Sequence, residues 1–199
     1  MKCRRLAAFV LLGSIVGGAY ASAQTDVAPS SAQAAPVAEK IDVVLNGNAV
    51  NEGGYMIDGR AYLSVRQIQE ALQAFIFWDD ANKKVVIDKP NVDLLLFKDN
   101  KTFGKVETGK TSFTVFVQVD SLQSTVDAIK ITITDPKGKT TELQESSVPT
   151  NEDNFWFRTN EHKYDFKAKG DYMISCYLRQ KNGEFTLISQ KKLPAISKL

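Results

Sequence analysis

Residues 41–90 read IDVVLNGNAVNEGGYMIDGRAYLSVRQIQEALQAFIFWDDANKKVVIDKP, and the fold reading starts there. Ile41, Val43 and Leu45 stand at alternate positions, which predicts a strand. Asn46-Gly47 then supplies the positive φ angles of a tight hairpin turn, and Ala49-Val50 returns. Tyr55-Met56-Ile57 runs into Asp58-Gly59, a second signal of that kind, and Arg60 to Leu63 returns from it. Ser64-Val65-Arg66-Gln67 has the spacing of a capping box, flanked by Leu63 and Ile68 at the hydrophobic-staple positions. Val65, Ile68, Leu72 and Phe75 follow the three-to-four spacing of a buried helix face. Phe75 to Trp78 switches to a strand, Asp79 to Lys83 turns, and Lys84 to Ile87 pairs back. The expectation for 41–88 is a small α+β domain, an antiparallel sheet with one helix laid on it.

The chain before this stretch reads as export and tether. Residues 1–23 have a basic n-region (Lys2, Arg4, Arg5), an apolar run LAAFVLLGSIVGGAY, and an Ala21-Ser22-Ala23 cleavage site. That is a secretory signal peptide, and no stable membrane span remains after its cleavage. Lys2, Arg4 and Arg5 leave with it and no acid does. Of 25 basic residues 22 then face 23 acidic ones, a formal −1, which gives no electrostatic footprint for nucleic acid. Cleavage also leaves Cys176 alone, so an intradomain disulfide is impossible; a buried thiol fits its place on an apolar strand face. Residues 24–40, rich in Ala, Ser, Pro and Gln, read as a flexible linker.

Residues 91–199 read as an all-β, immunoglobulin-like sandwich. Val92 to Phe97 is an apolar strand. Phe113, Val115, Val117 and Val119 alternate with Thr114, Phe116 and Gln118, and Ile129, Ile131 and Ile133 alternate with Lys130 and Thr132. Asp135-Pro136-Lys137-Gly138 has Pro and Gly where a turn wants them. Phe155-Trp156-Phe157 is a short aromatic strand. Tyr172, Ile174, Cys176 and Leu178 share one face of another, and Asn182-Gly183 turns it into the next.

The pattern in 41–88 resembles the copper amine oxidase N-terminal-like domain, also called the stalk domain of bacterial envelope proteins. The residues that carry the resemblance are Asn46, Gly47 and Val50; Asp58, Gly59, Arg60, Tyr62 and Leu63; Val65, Arg66, Ile68, Glu70, Ala71, Leu72 and Ala74; and Trp78, Asp79, Lys83 or Lys84, Val85 and Ile87. Ser64 stands where that family has Pro, and Gln73 where it has Gly, which leaves the helix C-terminus less sharply fixed. The resemblance implies an extracellular, non-catalytic module. FKAKGDYMISCYL, residues 166–178, is similar to the penultimate strand of bacterial immunoglobulin-like sandwiches, with Tyr172 as the corner tyrosine.

The chemistry offered by the sequence is sparse. An imidazole-based copper site needs several histidines, and His162 is the one present. It sits in the polar run Thr159 to Lys163 and reads as an exposed loop residue. Lys163 to Lys169 reads as a solvated loop with Tyr164 and Phe166 tucked in. There is no G-x-S-x-G, P-loop or G-x-G-x-x-G. The pairs Asp79-Asp80 and Glu152-Asp153 are the candidates for a carboxylate hydrolase, and both fall in turn-like segments. No cofactor and no metal is expected. Phe116, Trp156 and Tyr177 have the outward parity and are the candidate ligand-binding residues, for an envelope protein or a cell-wall polysaccharide. The expected location is the periplasm, the cell surface or the exterior.

Overall fold

Two-residue alternation with turn residues between the runs dictates a chain built almost entirely of strands. The computed structural model describes residues 37–45, 47–51, 53–148 and 152–197. The expected signal peptide and residues 24–36 of the expected linker lie outside the described residues. Residues 37 onward form one compact unit.

The first strand, β1 (Glu39–Ile41), begins inside the expected linker and stops at Ile41 rather than running on to Leu45. β2 (Val44–Leu45) and β3 (Asn48–Ala49) pair separately. Leu45 faces Asn48, which leaves two residues for the turn, and Gly47 supplies φ 83° there. β4 (Gly54–Ile57) and β5 (Arg60–Tyr62) form the second hairpin around Asp58 (φ 49°) and Gly59 (φ 72°), and β1 pairs with the other edge of β4. Gly53 is irreplaceable there, because a Cβ would collide with the Ile41 carbonyl oxygen.

The helix departs most from expectation. Only one turn forms, α1 (Gln69–Leu72), and its N-cap, Ile68, makes no side-chain cap bond. The helix starts five residues after Ser64, the expected cap, and the Gln67 side chain reaches a distant partner: Nε2 donates to the Asn51 carbonyl oxygen at 3.1 Å. The C-terminus, in contrast, is closed without glycine. Gln73 takes the left-handed conformation (φ 51°, ψ 54°) and its N–H donates to Gln69 O and Glu70 O. β6 (Phe75–Asp79) and β7 (Lys84–Asp88) complete this region as a two-stranded ladder. The expected helix-on-sheet layer thus reduces to ladders joined by a single helical turn.

The remaining strands are β8 (Asn91–Lys98), β9 (Lys101–Thr102), β10 (Val106–Glu107), β11 (Gly109–Asp120), β12 (Val126–Thr134), β13 (Thr140–Ser147), β14 (Phe155–Arg158), β15 (His162–Phe166), β16 (Gly170–Gln180) and β17 (Phe185–Ile196). Sheet 1 runs β10-β17-β16-β12-β13. Sheet 2 runs β14-β11-β8-β9, with β15 on the same edge of β11 as β14. Thr159 closes the gap between β14 and β15: its Oγ1 accepts the Val115 N–H at 3.0 Å and its own N–H donates to Val115 O at 2.9 Å.

The inward alternation holds throughout. Val115, Val117 and Val119 from sheet 2 and Ile129, Ile131, Ile133, Ile174, Cys176 and Leu178 from sheet 1 are fully buried in one cluster. Each such aliphatic chain contributes about 1.5–3 kcal/mol by leaving water. Phe75 belongs to the same cluster, so the first region reaches the sandwich core through it. At the corner, the Tyr172 hydroxyl donates to Ala168 O at 3.1 Å, the bond expected of a corner tyrosine. Asp135 Oδ1 accepts the amides of Lys137 and Lys139, both at 2.9 Å, and builds the predicted turn.

Candidate functional site

The outer face of sheet 2 follows from the same parity that buries its inner face. In the ladder register, Thr114 of β11 faces Phe97 of β8; Phe116 lies between Leu95 and Arg158 of β14; and Gln118 lies between Asp93 and Trp156. The rings meet across the strands. Phe116 and Trp156 have centroids 6.4 Å apart, and Phe97 and Phe116 meet edge-on, also at 6.4 Å. Trp156 is 74% exposed, more than any other aromatic side chain among the described residues. Leu95 is 40% exposed beside it. Arg158 lies back over the sheet: its guanidinium carbon is 5.5 Å from the Phe97 ring centroid and its Nε donates to Thr114 Oγ1 at 3.3 Å. Gln118 donates from Nε2 to Asp120 Oδ2 at 2.8 Å.

Phe116 and Trp156 are therefore brought together, and Tyr177 is not. Tyr177 lies on the outer face of sheet 1, opposite Lys130 and Leu187. It lines a recess of about 360 Å³ with Arg66, Gln69, Glu70 and Phe185. Parity distinguishes inward from outward but does not say which sheet a strand joins, and the two outer faces point away from each other. Sequence reasoning missed Leu95, Phe97 and Arg158 as members of the face. The run VDLLLFK is apolar at consecutive positions, so its parity becomes visible only through the pairing with β11.

The outer face of sheet 1 has a different character. Arg179 is 2.8 Å from Asp127 and 3.9 Å from Glu145. Lys130 is 3.7 Å from Glu145 and 3.7 Å above the Phe185 ring. Its cations are matched by neighbours on the same face.

The reactive side chains have structural work. Cys176 is fully buried, and burial pushes its thiol up to about 12, so the nucleophilic thiolate is not populated. His162 is not the exposed loop residue expected. It opens β15 opposite Phe113 and is half-buried; Nε2 has no hydrogen-bond partner, and burial lowers the ring below its ordinary value of 6.5. The alternation His162, Tyr164, Phe166 was the available signal, and the segment is a strand rather than a solvated loop, with Phe166 fully buried. Asp79 accepts the Asn82 amide N–H at 3.1 Å and the Asn82 side chain at 2.8 Å, which lower its pKa. Asp80 is lowered by Lys83 and the Trp78 indole. Asp153 accepts the Leu122 N–H on its carbonyl and Asn154 Nδ2 on its carboxylate. Among the described residues no group of three or more His, Cys, Asp or Glu side chains is placed to hold a metal ion, and no helix is long and apolar enough to cross a membrane.

A strand-built chain with a sandwich and an open aromatic face defines a class of β module. Part of the chain carries a family pattern: residues 44–126 match the family model of the copper amine oxidase N-terminal domain. The match covers the stretch that resembles that family by its residues and runs on through β11 to the first residue of β12. No curated protein matches the chain. Among solved structures, the crystal structure of the C-terminal domain of Wzt is similar over 69% of this chain and 91% of its own, at 12% identity and a TM-score of 0.35.

Proposed function

We propose that the protein is an exported, non-catalytic binding module of the cell envelope or its exterior, with the outer face of sheet 2 as its recognition surface. Region 41–88 serves as the stalk-like spacer and region 91–199 as the binding end. The observation that carries this reading is Trp156, a large apolar ring held on a paired strand and left 74% exposed next to Phe116. Exposed aromatic clusters of this kind mark interaction sites. The copper amine oxidase N-terminal pattern adds support for a non-catalytic role, and the signal-like residues 1–23 for export.

The test is capture of solubilised envelope components by the immobilised protein, compared with a Trp156→Ala variant of equal unfolding midpoint. The reading requires a component retained by the first and lost by the second. Retention that ignores Trp156 overturns the assignment of the surface. Covalent turnover by the purified protein, abolished by changing His162 or Cys176, overturns the non-catalytic part.

A further inference from the structure

Arg158 is a cation on the outer face of sheet 2 with no carboxylate within ion-pair distance among the described residues, whereas Arg179 and Lys130 on the other outer face both have one. Its side chain is nonetheless positioned. The Phe97 ring lies under the guanidinium, and Thr114 Oγ1 takes the Nε proton. A guanidinium carries five N–H donors in a planar fork, so the outer edge of the fork remains available for a carboxylate or phosphate oxygen pair. Holding the plane in advance reduces the ordering needed when that partner arrives.

The groups around Arg158 narrow the partner further. Trp156 lies two residues along the same strand face, and Phe116 lies between Arg158 and Leu95. Asp93 and Gln118 occupy the Trp156 row, and Asp120 follows on β11. The apolar surface left open is small, Trp156 and Leu95 over half-buried Phe97 and Phe116, and Arg158, Asp93, Gln118 and Asp120 flank it within two or three strand spacings. A protein interface of stable size covers about 800 Å² per partner around several open apolar anchors, more than Trp156 and Leu95 offer. A pyranose has one apolar C–H face and hydroxyls on its edge within a single unit, which matches this spacing. Asp93 and Asp120 accept hydroxyl protons and repel anions, so an acidic group is directed to the Arg158 end.

We propose that this face binds an acidic polysaccharide: a sugar ring stacks on Trp156 and the carboxylate or phosphate of the same or the next unit takes the free edge of Arg158. The proposal rests on the binding-face reading above and names the class of its ligand. The probes are polygalacturonate and the same polymer after reduction of its carboxyl groups, titrated into the full chain carrying Trp78→Phe, so that Trp156 is the one fluorescent tryptophan. Saturable change in Trp156 emission with polygalacturonate is expected, at about tenfold higher affinity than with the reduced polymer. Arg158→Gln should bring the two affinities together. Arg158→Lys should restore only part of the difference, because an ammonium cannot bind bidentately. Equal affinities in the parent chain, or a preference that survives Arg158→Gln, overturn the proposal. So does silence of Trp156 toward both polymers; the binding-face reading then still stands or falls on the Trp156→Ala capture experiment.

Discussion

Region 39–88 and region 91–197 are both strand-built, yet they hold together differently. The sandwich buries whole rows: Val115, Val117, Val119, Ile129, Ile131 and Ile133 have no exposed surface. The first region buries two hydrophobic side chains, Ala74 and Phe75, and leaves Val44, Tyr55, Trp78, Val85 and Ile87 about half exposed or more. The first region nevertheless has the denser local signals, with two Gly turns, a capping pattern and a closing hairpin. Turn chemistry specifies where the chain reverses; burial decides how firmly the result is held.

Phe75→Ala is the strongest way to break that contrast. Phe75 sits in the sandwich cluster, so its loss is expected to cost about 3–5 kcal/mol and to lower one shared transition. Trp78 and Trp156 report on the two regions separately by fluorescence in urea. Coincident midpoints mean one cooperative unit; a shift confined to Trp78 would divide the regions outright. Tyr172→Phe removes the corner bond to Ala168 and should cost the sandwich about 1 kcal/mol by denaturant midpoint. Gln73→Gly acts on the first region in the opposite sense. A left-handed Gln is strained, and glycine should stabilise by about 0.5–1 kcal/mol, read as increased amide-exchange protection around α1.

The smallest effect concerns pH. Burial lowers the folded pKa of His162 below its unfolded value near 6.5, so the unfolded chain takes up the extra proton first. Stability is therefore lost as pH falls through 6.5 and levels off below the folded value. His162→Gln should flatten this part of the profile, measured as the difference in urea midpoint between pH 7.5 and pH 5.5. An unchanged difference would show that His162 is as solvated as a loop residue.

Most of the sandwich was legible because alternation over Phe113–Val119, Ile129–Ile133 and Tyr172–Leu178 is a purely local record of a two-sided strand. What was not legible depends on partners distant in sequence. Gln67 had the right spacing for a capping box, but the helix starts at Gln69 and the Gln67 side chain reaches Asn51. Tyr177 had the same outward parity as Phe116 and Trp156 and belongs to the opposite sheet. Arg158 became a candidate only when β14 was registered against β11, placing it beside Phe116 and over Phe97. His162 was obscured by its polar neighbours, whose polarity is met by partners distant in sequence: Thr159 bonds with Val115 and Asn160 with Gln144.

The position of β17 sets the tempo at which this molecule assembles. On one side it pairs with β16, its neighbour across the Asn182-Gly183 turn; on the other it runs parallel to β10, separated by most of the sandwich. The first pairing is a hairpin, a class of contact that forms within about 1–10 μs, while the second needs a long loop to close. Such high contact order places refolding in the millisecond-to-second range. Pulse-labelled hydrogen exchange should find β16 and β17 protected early, and the Val106 and Glu107 amides among the last to gain protection.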